Sequence, residues 1–211
     1  MDAFRTVLAS VLLTGVGAAQ QAVSFPTQDG GLVNADMYGK GGRAVVLAHG
    51  GQFTKESWKN QAAALTAAGF RVLAIEFRPV DEGRQFDVLA AIHYLRKTGA
   101  TSVSVVGASM GGDYAAEAAE AEPAGIDRLV LLASGAYTPL IAMKGPKLFI
   151  VARDDANAEG PRLPRIRAQY EKAREPKQLV LLEGAAHAQF LFQTDQGERV
   201  MREILRFLSA R

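Results

Sequence analysis

The chain has 211 residues, 48% of them hydrophobic and 22% charged, with a formal net charge of +2 at pH 7. That length suits one globular domain with a full core, and so mild a charge, with no long basic run, argues against a nucleic-acid partner. There is no cysteine, which excludes a disulfide, a thiolate metal site and a cysteine nucleophile.

At the N-terminus Arg5 precedes a short apolar run from Val7 to Val16 and the small residues Gly17-Ala18-Ala19. The pattern reads as a secretory signal spanning residues 1–19, with an exported domain, periplasmic or secreted, over 22–211. The run is about half of what a bilayer-spanning helix needs, so no stable membrane insertion is expected. A retained amphipathic helix on a cytoplasmic protein is the other reading of the same residues.

From residue 22 the pattern is regular. AVSFPT and LVNADMY are short strands joined by the turn residues Gln28-Asp29-Gly30-Gly31. AVVLAHG is a continuous apolar run, as in a strand buried on both faces of a parallel sheet. SWKNQAAALTAAG reads as a helix capped by Ser57 and stopped by Gly69. FRVLAIEF is the next strand, and FDVLAAIHYLRKTG a helix with Val88, Leu89, Ile92 and Leu95 on one face.

TSVSVVG is a strand, followed after Gly111 by a helix rich in alanine. DRLVLLA and PKLFIVA are two more buried strands, separated only by Ser134 to Gly145, too little chain for a cap domain. A polar helix over 163–174, the strand KQLVLLEG and an amphipathic helix, DQGERVMREILRFLSA, complete the chain. Strands alternating with helices define an α/β fold. The expectation is a mostly parallel eight-stranded sheet with an antiparallel N-terminal hairpin, helices on both faces and no cap.

Gly107-Ala108-Ser109-Met110-Gly111 matches G-x-S-x-G and lies between a buried strand and a helix, where a nucleophile elbow belongs. The turn is tight, so the positions flanking Ser109 have to be nearly bare. A serine needs a base, and the base an orienting acid. Downstream of Ser109 the only histidine is His187, just after the last strand. The acid belongs after PKLFIVA, where Asp154 and Asp155 compete. Counting from Pro146 favours Asp155.

An oxyanion hole needs two N–H groups, one from Met110 and one from the loop His49-Gly50-Gly51-Gln52. Gly51 is the expected donor there, with Gln52 the alternative. His49 precedes the nucleophile and is expected to order that loop.

Taken in order, LAHGG, VVGASMGG, IVARDD and GAAHAQF make the chain resemble the α/β-hydrolase superfamily, most of all its small lidless dienelactone-hydrolase-like and carboxylesterase branch. The resemblance covers residues 22–211. Its departure is the acid turn, where Ala152-Arg153-Asp154-Asp155 replaces the usual G-x-x-D. It implies a serine hydrolase acting on a small-molecule ester through Ser109, His187 and Asp155, with no cofactor and no metal. Peptidase, thioesterase or lactonase chemistry would use the same parts, and a catalytically silent binding protein would keep the scaffold.

With so short a connection before Gly145, the expected cleft is shallow. Phe53 and Tyr137 are its expected substrate walls, and the expected substrates are short acyl esters. The remaining candidates read as structural. His93 lies beside core positions on its helix, Trp58 belongs to the core, and Asp113 complements a helix dipole. Arg162, Arg165, Arg167 and Arg174 form a solvated face. Gly39-x-Gly41-x-x-Ala44 leads into a strand, not into the helix that a dinucleotide-binding turn requires.

Overall fold

In the computed structural model, which describes residues 20–80, 82–136 and 138–210, the apolar runs become the strands of one sheet. These are β1 (Gln21–Pro26), β2 (Leu32–Tyr38), β3 (Arg43–Ala48), β4 (Arg71–Glu76), β5 (Ser102–Ala108), β6 (Arg128–Leu132) and β7 (Lys147–Ala152). A small separate hairpin, β8 (Ala156–Asn157) and β9 (Gly160–Pro161), precedes the last sheet strand, β10 (Lys177–Leu182). The helices are α1 (Lys59–Ala67), α2 (Gln85–Lys97), α3 (Met110–Ala121), α4 (Leu163–Lys172) and α5 (Gly197–Ser209). The expected signal, residues 1–19, and Tyr137 lie outside the described residues. No helix among the described residues is long and apolar enough to cross a membrane.

The sheet runs β1-β2-β4-β3-β5-β6-β7-β10, with β2 antiparallel to both of its neighbours and every other pairing parallel. The central strands are buried on both faces, so their side chains alternate between two cores. Val46 and Val105 pack with Val88, Leu89 and Ile92 of α2 and the alanines of α3. Val45, Leu47 and Val106 pack on the opposite face with Leu65 of α1 and Val200, Ile204 and Phe207 of α5. Trp58 is fully buried in this second core.

Register aligns the ends of the strands that matter for chemistry. Ala48 of β3 pairs with Gly107 of β5, Ala108 with Leu132 of β6, and Ala152 of β7 with Leu182 of β10. The loops after β3, β5, β7 and β10 therefore leave from one edge, where open α/β sheets bind ligands.

One local expectation fails. Ser57 does not cap α1. It lies inside a short 3-10 turn, Lys55–Trp58, and its hydroxyl donates to the Thr54 carbonyl at 2.6 Å. The chain tightens there because Trp58 has to reach the core before α1 begins. His93, beside core positions on its helix, is itself exposed and pairs with Glu122 at 2.7 Å, a structural tie that joins α2 to the end of α3. Gly69 does end α1, at φ 82°.

The connection from β6 to β7 is held by an unusual clamp. Lys147 is fully buried, and its Nζ donates to the carbonyls of Met143 at 2.6 Å, Gly145 at 2.8 Å and Arg174 at 2.9 Å. Burial pushes the amine below its ordinary pKa. The three carbonyls replace its lost water. Leu140, buried in the same connection, adds an apolar anchor.

Candidate active site

β5 delivers Ser109 on a tight turn, with φ 48° and ψ −119°, and α3 begins at the next residue. A non-glycine residue in this backbone region is held there by its surroundings. The Ser109 N–H donates to the Leu132 carbonyl at 2.8 Å, and the Ser109 carbonyl accepts from Gly112 and Asp113 at 2.8 and 3.0 Å. The flanking glycines are steric requirements. A Cβ on Gly107 would sit 2.6 Å from both the Gly111 carbonyl oxygen and the Gly112 Cα. The alanine face of α3 comes equally close to the sheet, with Ala115, Ala116, Ala118 and Ala119 fully buried.

His187 follows β10 and bridges to the turn after β7. Its Nε2 lies 2.7 Å from Ser109 Oγ and its Nδ1 2.8 Å from Asp155 Oδ2. An ionised carboxylate can only accept, so Nδ1 carries the hydrogen and Nε2 is left to accept from the serine hydroxyl. Asp155 is fully buried, whereas Asp154 is exposed and held by its backbone N–H to Gly184 at 3.0 Å. Of the two competing acids, Asp155 meets the histidine.

The loop after β3 is fixed by hydrogen bonds on both sides. The Phe77 N–H donates to His49 Nε2 at 3.2 Å, so Nδ1 of His49 donates to the Gly50 carbonyl at 2.9 Å. Phe53 N–H donates to the same carbonyl at 3.0 Å. A peptide unit is planar, with its N–H opposed to its C=O. Anchoring the Gly50 carbonyl therefore sets the direction of the Gly51 N–H. The Gly50 N–H is taken by Gln189 Oε1 at 3.1 Å, and Gln189 Nε2 donates to Ser57 Oγ at 3.0 Å. Met110 occupies the first turn of α3, where a backbone N–H has no acceptor within the helix. Gly50, Gly51, Gln52, Phe53, Ser109, Met110 and His187 line one cleft of about 200 Å³, so the predicted nucleophile, base, amides and Phe53 wall come together.

The arginines do not form one solvated face. Arg167 and Arg174 are exposed, but Arg162 and Arg165 turn inward. The reason is the β8–β9 hairpin, which the sequence reading missed. It folds the chain back so that the Arg162 N–H donates to the Asp155 carbonyl at 2.8 Å. The Arg162 Nε then lies 3.3 Å from Asp155 Oδ1, and its side chain lines the cleft. The signal available was the pair of turn residues Asn157 and Gly160 between Asp155 and Pro161.

Two further residues were missed or misread. Gln189 carried no pattern of its own, being two residues past the histidine. Asp113 does more than face a helix dipole. Its Oδ1 accepts from Ser134 Oγ at 2.7 Å, and burial raises its pKa above the ordinary aspartate value. It borders a second cavity that also opens at Ser109.

A mostly parallel sheet with an elbow serine at its carboxyl edge defines the α/β-hydrolase class of fold. The model of the α/β hydrolase fold family matches residues 43–207, and the chain belongs to that family. Solved structures agree at the level of fold. The Pyrococcus furiosus esterase Pf2001 superposes with a TM-score of 0.73 at 17% identity, covering 97% of this chain and 99% of that one. The Anabaena variabilis dienelactone hydrolase gives 0.68 at 24% identity, over 90% and 97% of the two chains. A Pyrobaculum calidifontis esterase gives 0.72 at 17%, over 90% and 84%. No curated protein sequence matches.

Proposed function

We propose that the protein is a serine hydrolase that cleaves small carboxylic esters through an acyl-enzyme. The observation that carries this reading is the hydrogen-bonded series Ser109–His187–Asp155, at 2.7 and 2.8 Å, on a strained elbow beside an open cleft. The esterases and the dienelactone hydrolase among the similar structures agree with it.

In this mechanism Ser109 Oγ attacks the ester carbonyl carbon as its proton passes to His187 Nε2. Asp155 keeps His187 in the Nδ1–H tautomer and stabilises the imidazolium. The carbonyl π electrons move onto oxygen, where the Gly51 and Met110 N–H groups receive the negative charge. The tetrahedral species collapses, the C–O bond to the alcohol breaks, and His187 gives its proton to the departing oxygen. Water then repeats the sequence on the acyl-enzyme, releasing the acid and restoring Ser109. Phe53 is the apolar wall of the acyl side. The shallow cleft holds a short acyl chain of roughly two to six carbons, since each buried methylene adds only about 0.8 kcal/mol.

The test is covalent labelling by a fluorophosphonate together with hydrolysis of p-nitrophenyl esters of increasing length. Wild type is labelled and prefers short chains, and Ser109→Ala loses both activities while remaining folded. Labelling that persists in Ser109→Ala would move the nucleophile elsewhere. A rate maximum at long chains would show a deep tunnel in place of the shallow cleft. We further propose that residues 1–19 direct export. A native protein that begins near Gln20 supports this, and one that retains Met1 or Asp2 refutes it.

A further inference from the structure

The second cavity at Ser109 is larger than the cleft, about 340 Å³, and has a different chemistry. Beyond Ser109 and Met110 its walls include Asp113, Tyr114, Glu117, Thr138 and Arg165. Asp113 and Glu117 stand four residues apart on α3, hence on one face. Burial raises both carboxyls above their ordinary range, and Asp113 raises Glu117 further. A carboxylate short of water is stabilised by any donor that reaches it. Arg165 brings a guanidinium to the same walls from α4, and Arg84 lies 5.9 Å over the Tyr114 ring.

The walls thus set two carboxyls, which accept, beside one guanidinium, which donates. A cation is opposed by Arg165, and an anion by the two acids. A neutral group that both donates and accepts satisfies both sets at once. A smaller cavity of about 160 Å³ shares the Ala136 and Arg165 walls and reaches Gln169. Gln169 is 4% exposed, and its Nε2 donates to the Thr138 carbonyl at 2.8 Å. Its Oε1 has no partner among the described residues.

We propose that this cavity receives the alcohol part of the ester, and that this alcohol is a neutral polyhydroxylated ring, a sugar or cyclic polyol. Asp113 and Glu117 accept from its hydroxyls and Arg165 donates to them. Tyr114 offers an aromatic face to its C–H side. The inference rests on the ester-hydrolysis reading, in which the alcohol oxygen that departs from the acyl carbon takes its proton from His187.

The test compares four acetates on the full chain. They are methyl 6-O-acetylglucoside, cyclohexylmethyl acetate (a six-membered carbocycle without hydroxyls), acetylcholine and acetoxyacetate. The glucoside ester is expected to exceed the cyclohexylmethyl ester in kcat/KM by about tenfold or more, as for one well-made hydrogen bond to a charged group. Glu117→Leu should cut that ratio by about tenfold, and Glu117→Gln, which keeps one acceptor, by less. Equal rates on the two rings, an unchanged ratio in Glu117→Leu, or a preference for acetylcholine or acetoxyacetate would overturn the proposal. Fluorophosphonate labelling separates the two readings. A labelled, active enzyme that prefers the bare ring refutes only the substrate class, and an unlabelled, inert protein refutes both.

Discussion

On the oxyanion-loop side of Ser109, both polar backbone atoms of Gly50 are engaged, by Gln189 on one side and by His49 and Phe53 on the other. On the acid side, Asp155 Oδ1 and Arg162 Nε are buried 3.3 Å apart without a well-formed hydrogen bond between them. In the first wall both Gly50 backbone atoms are held by neutral partners; the second holds charges in loose geometry. In the proposed mechanism the contrast follows from the chemistry each wall would perform. An oxyanion hole works by being in place before charge develops, so its donors have to be fixed by other bonds. A triad acid has to stay charged in a dry environment, so it needs a nearby cation more than a rigid one.

That difference can be broken by substitution. The largest effect is expected at the acid itself. Asp155→Asn removes the charge opposite His187 and should lower kcat by about 10⁴-fold, whereas Asp154→Asn should change it by no more than about twofold. Steady-state rates on p-nitrophenyl acetate decide this, and the reverse ranking would make Asp154 the acid.

Next comes the neutral wall. Gln189→Met keeps the volume and removes both hydrogen bonds, freeing the peptide that precedes Gly51. A loss of about 10- to 100-fold in kcat with little change in KM is expected, below the cost of removing an oxyanion donor outright. Gln189→Glu, which still accepts from Gly50, should recover part of it. A matched rise in KM with unchanged kcat would contradict the positioning role.

The charged wall should answer in stability more than in rate. Arg162→Gln leaves the buried Asp155 without its cation and should destabilise the fold by about 2 kcal/mol, less than for a fully buried pair because Arg162 is partly exposed. In the Asp155→Asn background the same change should cost little, and chemical denaturation of the four proteins of that cycle would measure the coupling.

The smallest effect concerns Asp113, whose pKa is raised in the folded protein by burial. The folded state then holds this proton more tightly than the unfolded chain. Its contribution is fully present below the ordinary aspartate pKa of 3.8 and is lost as pH rises through the raised folded value. Asp113→Asn keeps an acceptor for Ser134 and should flatten that decline. Thermal melts across the acidic range would show it, and parallel curves would refute it.

The sequence announced most of the framework, because buried parallel strands are continuous apolar runs and their helices carry a 3.6-residue period. It also brought out Ser109 and His187, since an elbow demands small neighbours and only one histidine follows. Arg162 was illegible because a two-residue strand such as β8 has no periodicity. The inward turn of the arginine depends on that hairpin. Gln189 was illegible for another reason. Its partner, Gly50, lies 139 residues away, and a glutamine beside a loop histidine has no distinguishing pattern. Ser57 was misread as a cap because its surroundings match one locally, and the burial of Trp58 overrides them.

The lysine clamp beneath the connection from Ala133 to Pro146 has a consequence for how such a protein changes over generations. Lys147 ties Met143, Gly145 and Arg174 to the sheet from below, while the buried Ala136 and Leu140 anchor the connection in the core. Lengthening a loop between fixed ends costs little, about 0.6 kcal/mol for each doubling. This stretch contributes Gly135, Ala136 and Thr138 to the wall of the larger cavity. Insertions that keep Ala136, Leu140 and the lysine clamp in place can therefore give Ser109 a new roof while the strands and the elbow stay as they are.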